Sequence, residues 1–233
     1  MQTSDSTTPS QKPPLVRDDL AYILPMLTFL LFTWVGGTFP DYYTHTYVAK
    51  TVVVSVMIAL FWRSFTRISW RGWWLGLIVG VIGIFQWVGM QTWLQNNFEF
   101  FAPPDDVFNP TTAFDSAALM YSFIGIRWIL GATLLVPLME ELFWRDFVWR
   151  TVAAPNDFKL ASVGELDWRA FFIVPLVFAV VHGNWWMTSI VWGVMISALL
   201  VYTRSLGACI VAHATTNFLL GAYVLYTKDW AFW

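Results

Sequence analysis

Two carboxylates, Glu140 and Glu141, stand next to each other at the end of a long apolar stretch, and Arg145 follows the second by four residues. On a helix, adjacent residues point about 100° apart, so the two carboxylates cannot serve the same point equally. The i,i+4 spacing lets Glu141 reach Arg145, which would keep that carboxylate charged and oriented. Glu140 is then free to act as a general base toward water. A structural ion-pair cluster at a membrane boundary is the competing interpretation of this segment.

Two of the three histidines lie in apolar stretches that are separate from the glutamates. His182 follows Phe178 by four residues, which would place the two rings on one helix face. Taken alone, this spacing is more typical of a histidine at a membrane interface. His213 and Asn217 are also four residues apart, and taken alone they are equally typical of an interhelical hydrogen-bond pair. With a glutamate, however, they supply a base, a group that polarises water and donors for an oxyanion, which predicts a water-activating hydrolase.

The composition places these residues in a membrane. Hydrophobic residues make up 58% of the chain and charged residues 12%, whereas about a quarter of a soluble domain is charged. The chain also has 16 Trp, many of them at the ends of apolar runs, as is typical of membrane interfaces. An ionisable residue inside a span costs about 2.5 to 3.5 kcal/mol and usually faces a cavity or a partner. Those singled out here are Arg127, Glu140, Glu141, Arg145, Asp146, His182 and His213.

Continuous apolar runs of nearly bilayer length predict an all-α fold, a polytopic transmembrane bundle of about seven to eight helices. The predicted spans are 20–36, 47–62, 73–95, 116–138, 170–183, 185–203 and 206–226. A further helix near 139–153 joins the fourth span directly or after a kink at Pro137. Residues 1–15, rich in Ser, Thr and Pro, are expected to form a disordered tail, and residues 16–233 a single membrane-embedded domain.

The Lys and Arg bias predicts the orientation of the bundle. Arg63, Arg67 and Arg71 occupy the connection between the second and third spans, whereas the next connection carries Glu99, Asp105, Asp106 and Asp115. The first connection, and with it the N-terminus, is therefore expected in the cytosol. Glu140 then lies at the cytosolic end of its span, whereas His182 ends a span that heads outward. Their meeting requires a tilted or re-entrant segment.

Several other classes of function find little support in the chain. The net charge of −2 is spread out without a basic run, so nucleic acid is not an expected partner. No Gly-x-Ser-x-Gly elbow marks a serine nucleophile, and the His-Glu-x-x-His pattern of zincins is absent. Two histidines and one glutamate could still hold zinc, which remains a minority possibility beside the expectation of no cofactor.

The ordered motifs Glu140-Glu141-x-x-x-Arg145, Phe178-x-x-x-His182 and His213-x-x-x-Asn217 resemble those of a known family. This is the CAAX prenyl endopeptidase and bacteriocin-processing (Abi, CPBP) family of intramembrane glutamic proteases.

The resemblance covers a catalytic core of about residues 116–226. The amino-acid sequences of segments 136–145 and 212–218 are similar to those of an exosortase-associated bacterial subgroup. Trp144 stands where the family usually has Phe, a difference expected to affect the shape of the pocket and not its carboxylates.

The resemblance implies an all-helical membrane peptidase in which Glu140 and His182 activate a water molecule. It implies that His213 and Asn217 stabilise the oxyanion and that catalysis is independent of metal. The expected setting is a bacterial inner membrane, and the expected substrate is a membrane-associated protein or peptide, as in surface-protein sorting or maturation.

The resemblance also implies that Glu141 and Arg145 support the site and that Phe178 packs beside it. The main alternative is a non-catalytic membrane chaperone or bacteriocin-immunity protein that uses the same polar cavity for binding. A proton-coupled carrier is a third possibility, because buried Glu and His also serve proton relays, although no internal repeat of the transporter kind is visible.

Overall fold

The computed structural model describes residues 17–103 and 107–233. Across these residues the chain is helical and contains no strand, which confirms the predicted all-α bundle. The tail predicted for residues 1–15 lies outside the described residues.

Seven helices of more than ten residues build the described part of the bundle. They are α1 (Asp18–Thr38), α2 (Tyr43–Phe61), α3 (Trp73–Asn97), α4 (Ala117–Ala153), α5 (Trp168–Val180), α6 (Trp186–Thr203) and α7 (Leu206–Thr227). All except α5 belong to segments long and apolar enough to cross a membrane, as expected of an integral, multi-pass membrane protein. Which end of the bundle faces the cytosol stays a prediction.

The fourth span is longer than its predicted bounds of 116–138. Helix α4 runs without interruption for 37 residues, so the further helix expected near 139–153 is its direct continuation. At about 1.5 Å per residue, α4 is about 55 Å long and exceeds the hydrocarbon thickness of about 30 Å. Glu140 therefore lies about 20 Å from the end of the helix, and its place at the cytosolic end of the span stays a prediction.

The hydrogen-bond register of α4 is not uniform along its length. Residues Ile126–Leu135 and Leu142–Val148 are π-helical, and they flank the short α-helical segment Val136–Glu141 that carries the two carboxylates. Such wide turns are rare and occur mostly at functional sites. Because they alter the angle between successive side chains, the faces of α4 do not follow a uniform period of 3.6 residues.

Helices α3 and α7 run parallel in close contact along a row of glycines on α3. Gly76 and Gly80 lie directly against the backbone of α7, and Gly83 lies against Thr216 of α7 and the Trp192 ring of α6. The carbonyl oxygen of Gly80 accepts a 2.9 Å hydrogen bond from Thr216. In a bilayer, where apolar burial drives little helix association, close packing of small residues holds helices together. Ser205 caps the start of α7 by accepting a hydrogen bond from the amide of Ala208.

A buried polar network fixes the C-terminal part of α4. The Asp146 carboxylate accepts hydrogen bonds from Tyr22 at 2.7 Å and from Arg150 at 2.6 Å. Arg150 also donates to the Thr66 hydroxyl and to the Ala161 carbonyl oxygen, at 2.8 Å and 2.7 Å. The network joins α1, α4 and the two loops at this end, so Asp146 is a structural residue.

Helix α5 is the shortest of the seven, with 13 residues and a length of about 20 Å. It starts at an exposed cap, where the Arg169 side chain holds the pKa of Asp167 below its usual value. A turn at Gly183, with φ +53°, leads into α6, and Gly193 of α6 packs directly against Pro175 of α5. The hairpin of α5 and α6 therefore turns before the length of one full bilayer has been crossed.

We expect Gly80→Ala to lower the apparent melting temperature of the purified protein in detergent. The added methyl carbon would stand 2.6 Å from the Ala212 carbonyl oxygen and 2.5 Å from the Thr215 Cβ, and overpacking of this kind costs about 1 to 3 kcal/mol. Gly89→Ala on the same helix is the control, because nothing lies within 4 Å of its added carbon. Equal melting temperatures for the two variants would contradict the proposed helix contact.

Candidate active site

A cavity of about 110 Å³ lies inside the bundle where α3, α4, α6, α7 and the end of α5 meet. Its walls include Glu140, Phe178, His182, His213 and Asn217, which are five of the seven site residues implied by the three sequence motifs. The remaining two, Glu141 and Arg145, lie behind this wall. A cavity of this size has room for several water molecules.

Glu140 faces this cavity and is 6% exposed. Its Oε2 atom is buried and has no hydrogen-bond partner among the described residues. A carboxylate that is not committed to a structural partner can accept a proton from a bound molecule, which is what a general base requires.

Glu141 is fully buried and joins two helices. Its Oε1 atom accepts a 2.8 Å hydrogen bond from Nδ1 of His213 on α7, and its Oε2 atom lies 3.3 Å from Nε of Arg145, as the i,i+4 spacing predicts. The sequence gives no indication of the contact with His213. This contact fixes the imidazole with Nδ1 toward the carboxylate, so Nε2 is the nitrogen left for the cavity.

Arg145 is also fully buried and packs against an aromatic wall. Its guanidinium lies 4.9 Å from the centre of the Phe178 ring, and Phe178 in turn meets Trp144 edge to face at 5.8 Å. None of the Arg145 nitrogens has a well-aligned hydrogen-bond acceptor among the described residues. Its attraction to Glu141 is therefore mainly a charge interaction, supported by the cation–π contact.

His182 lies just beyond the end of α5, in the turn, and not inside a span as its predicted range of 170–183 implies. Its Nδ1 atom is 2.7 Å from the Phe178 carbonyl oxygen. Because a carbonyl oxygen only accepts hydrogen bonds, Nδ1 carries the proton and Nε2 of the neutral ring is an acceptor. Trp87 meets the ring edge to face at 6.1 Å. The short α5 is thus the feature that brings His182 to the depth of the other site residues.

Asn217 bonds to the backbone of α4. Its Nδ2 atom donates a 2.8 Å hydrogen bond to the Ala132 carbonyl oxygen. In this part of α4 the amide of Val136 bonds to the carbonyl of Gly131, five residues earlier. The next bond of this register would run from residue 137 to Ala132, but Pro137 has no N–H. Asn217 therefore supplies the donor that Pro137 lacks, and its second amide hydrogen remains for another acceptor.

Lys50 is a buried lysine near the site that the sequence pattern does not single out. It lies near the start of the predicted span 47–62, where a lysine usually extends toward water. In the structure its Nζ donates to the Thr33 hydroxyl at 3.0 Å and lies over the rings of Phe29 and Tyr47. Only the packing of α1 against α2 reveals that this side chain points inward.

No three His, Cys, Asp or Glu side chains converge as a potential metal site within residues 17–103 and 107–233. His182, His213 and Glu140 share a cavity but do not form such a cluster. Catalysis without a metal stays a prediction.

Residues 122–219 match the family model described as type II CAAX prenyl endopeptidase Rce1-like. The match covers less than half of the chain, but all seven candidate site residues fall inside it. No curated protein and no solved structure matched the chain.

The Rce1-like match indicates a peptidase embedded in the membrane. It agrees with the resemblance seen in the three motifs, and it begins and ends close to the predicted core of 116–226. It does not single out the exosortase-associated subgroup, so that closer assignment stays a prediction. Trp87 and Lys50 lie outside the matched segment.

We expect Glu141→Gln and Glu140→Gln, the same change at adjacent positions, to differ in stability. Removing the charge of Glu141 leaves Arg145 buried without its counterion and weakens the hold on His213, and breaking a buried pair costs about 3 to 5 kcal/mol. Glu140 has no such partner, so its variant serves as the control and should melt close to the parent protein. Similar melting temperatures for the two variants in detergent would contradict the structural role of Glu141.

We also expect Asn217→Ala and Pro137→Ala to be coupled. Asn217→Ala leaves the Ala132 carbonyl without a donor, at a cost of about 1 to 3 kcal/mol. Pro137→Ala restores a backbone N–H that can reach this carbonyl, so the double variant should lose less stability than the sum of the single variants. The measurement is a double-mutant cycle of unfolding in mixed micelles, and strict additivity would refute the link.

Proposed function

We propose that this protein is an intramembrane glutamic endopeptidase that hydrolyses a peptide bond of a membrane-associated protein or peptide. The observation that carries the proposal is the cavity in which Glu140, two imidazoles and the Asn217 amide face one another inside a membrane bundle. The match of residues 122–219 to an endopeptidase family supports the same reaction class.

Glu140 and His182 are the groups proposed to activate water. The free carboxylate of Glu140 takes a proton from the water molecule, and Nε2 of His182 accepts a second hydrogen bond and orients it. Nε2 is available because Nδ1 is held by the Phe178 carbonyl oxygen. The resulting hydroxide attacks the carbonyl carbon of the substrate, and Glu140 returns its proton to the leaving amine.

His213 and Asn217 are proposed to stabilise the oxyanion of the tetrahedral intermediate. With Nδ1 of His213 held at the Glu141 carboxylate, Nε2 is the nitrogen proposed to donate a hydrogen bond to the oxyanion, which requires a proton on Nε2. Asn217 contributes the amide hydrogen that is not bonded to Ala132. Donors held in place before the reaction in a site of low dielectric are typically the largest source of catalysis.

The proposed setting follows from the charge bias and the family resemblance. We place the protein in a bacterial inner membrane with a cytosolic N-terminus, where its substrates would be proteins that mature at the cell surface. A role beside an exosortase system is the closest version of this proposal.

We expect Glu140→Gln to abolish peptide processing while the protein remains folded. Loss of a general base lowers the rate about 10²- to 10⁴-fold. Membranes of cells that express the parent protein or the variant would be compared by mass spectrometry for cleaved peptides, which also identifies the substrate. Glu99→Gln, a change in an exposed turn after α3, is the control and should process normally.

Two outcomes would reject the peptidase. The first is undiminished cleavage by purified Glu140→Gln protein. The second is a variant that keeps cellular function and partner binding in cells where the parent protein yields no cleaved product; this would favour the membrane chaperone or immunity protein.

A further inference from the structure

A second cavity of about 130 Å³ adjoins the catalytic cavity between α4 and α7. The two cavities share Asn217 and Leu220 in their walls. The second one continues past Ala132 to Arg127 and ends at Trp233. A bound chain that reaches the Asn217 amide can therefore extend directly into this space.

Arg127 is the charged residue of the second cavity. Its guanidinium lies 4.9 Å from the centre of the Tyr47 ring and 4.8 Å from that of the Trp233 ring. Its Nε atom is buried and has no hydrogen-bond partner among the described residues. The aromatic rings stabilise a cation but accept none of its N–H groups in the fork geometry that binds a carboxylate.

Lys50, which is outside the lining of this cavity, contacts the same aromatic ring as Arg127. Its Nζ lies 4.4 Å from the centre of the Tyr47 ring, so the two side chains share one aromatic platform. Tyr47 is fixed between α2 and α4, because its ring packs against Gly131 and its hydroxyl donates to the Arg127 carbonyl oxygen at 3.2 Å. Among the described residues, no acidic side chain forms an ion pair with either side chain. In a medium of low dielectric, the Arg127 guanidinium therefore attracts an anion.

The spacing along α4 sets how far the cation lies from the reacting bond. Arg127 precedes Ala132 by five residues, about one turn of the wide helix and at most about 7 Å along its axis. Ala132 is the end of this distance that lies near the reacting bond, because its carbonyl oxygen is hydrogen-bonded to Asn217, the proposed oxyanion donor. An extended peptide advances about 3.3 Å per residue, so this distance corresponds to about two residues.

We propose that Arg127 is a specificity residue that binds a carboxylate of the substrate about two residues from the scissile bond. The proposal rests on the peptidase function of the neighbouring cavity. The carboxylate is either an Asp or Glu side chain or the end of the peptide chain, and both offer the same planar pair of oxygens to the guanidinium.

The test uses quenched-fluorescent apolar peptides and the full-length protein in lipid nanodiscs. One set of peptides carries Asp or Asn at successive positions on either side of the cleaved bond, with an amidated end. A second set has no acidic side chain and ends in either a free carboxylate or an amide. The protein variants are Arg127→Gln, Arg127→Lys and Arg127→Glu.

For one of the two sets, the parent protein should prefer the carboxylate peptide over its neutral partner by at least about 30-fold in KM. Arg127→Gln should abolish this preference, Arg127→Lys should retain part of it, and Arg127→Glu should reverse it in favour of the neutral peptide. The set that shows the preference identifies the source of the carboxylate.

Binding of the same peptides to Glu140→Gln protein, measured by fluorescence anisotropy, tests Arg127 separately from catalysis. An Arg127-dependent preference in binding supports the subsite even if no peptide is cleaved, whereas cleavage without such a preference overturns the subsite and leaves the peptidase intact. The double variant Asp105→Asn/Asp106→Asn tests whether Arg127 serves an anion of its own chain instead of the substrate. If Asp105→Asn/Asp106→Asn and Arg127→Gln lower the melting temperature equally and neither changes peptide selectivity, the proposal is also overturned.

Discussion

The buried carboxylate of Glu141 is the interaction on which the rest of the site depends. It holds His213 of α7 by a hydrogen bond and Arg145 of its own helix by charge, without contact with water. Because both partners are buried, neither can exchange the carboxylate for solvent, and the relative position of α4 and α7 is fixed by chemistry as well as by packing. The neighbouring Glu140 is thereby left free to face the cavity. One dipeptide thus provides a structural acid and a candidate catalytic acid.

The backbone of α4 is adapted to the same purpose. Pro137 removes a donor shortly before the two carboxylates, and Asn217 replaces that donor from α7. The wide turns on both sides of Val136–Glu141 change the direction of side chains along the helix. In a uniform α-helix, one constant period would set the angle between the side chains of Arg127 and Glu140. In α4 this period changes, and the two side chains line two adjoining cavities.

Much of this arrangement follows from the sequence, because few kinds of fold are stable in a lipid environment. Apolar runs predict the helices to within a few residues, and the cost of buried charge singles out Glu140, His182 and His213. The contact of His213 with Glu141 was not predictable, since it depends on the rotation and depth of two helices distant in the chain. The inward position of Lys50 was not predictable for a related reason. Near the start of an apolar run, a lysine is expected to reach water, and only tertiary packing turns it inward.

The limited length of α5 has a consequence for the surrounding lipid. At about 20 Å, this helix falls short of a hydrocarbon layer of about 30 Å, yet its outer side chains, such as Phe172, Leu176 and Val180, are exposed as in a lipid-facing surface. A bilayer beside so short a lipid-facing element is expected to thin locally, which would bring polar head groups and water toward its end. His182 follows that end, so we expect water to reach the imidazole from the side where α5 stops.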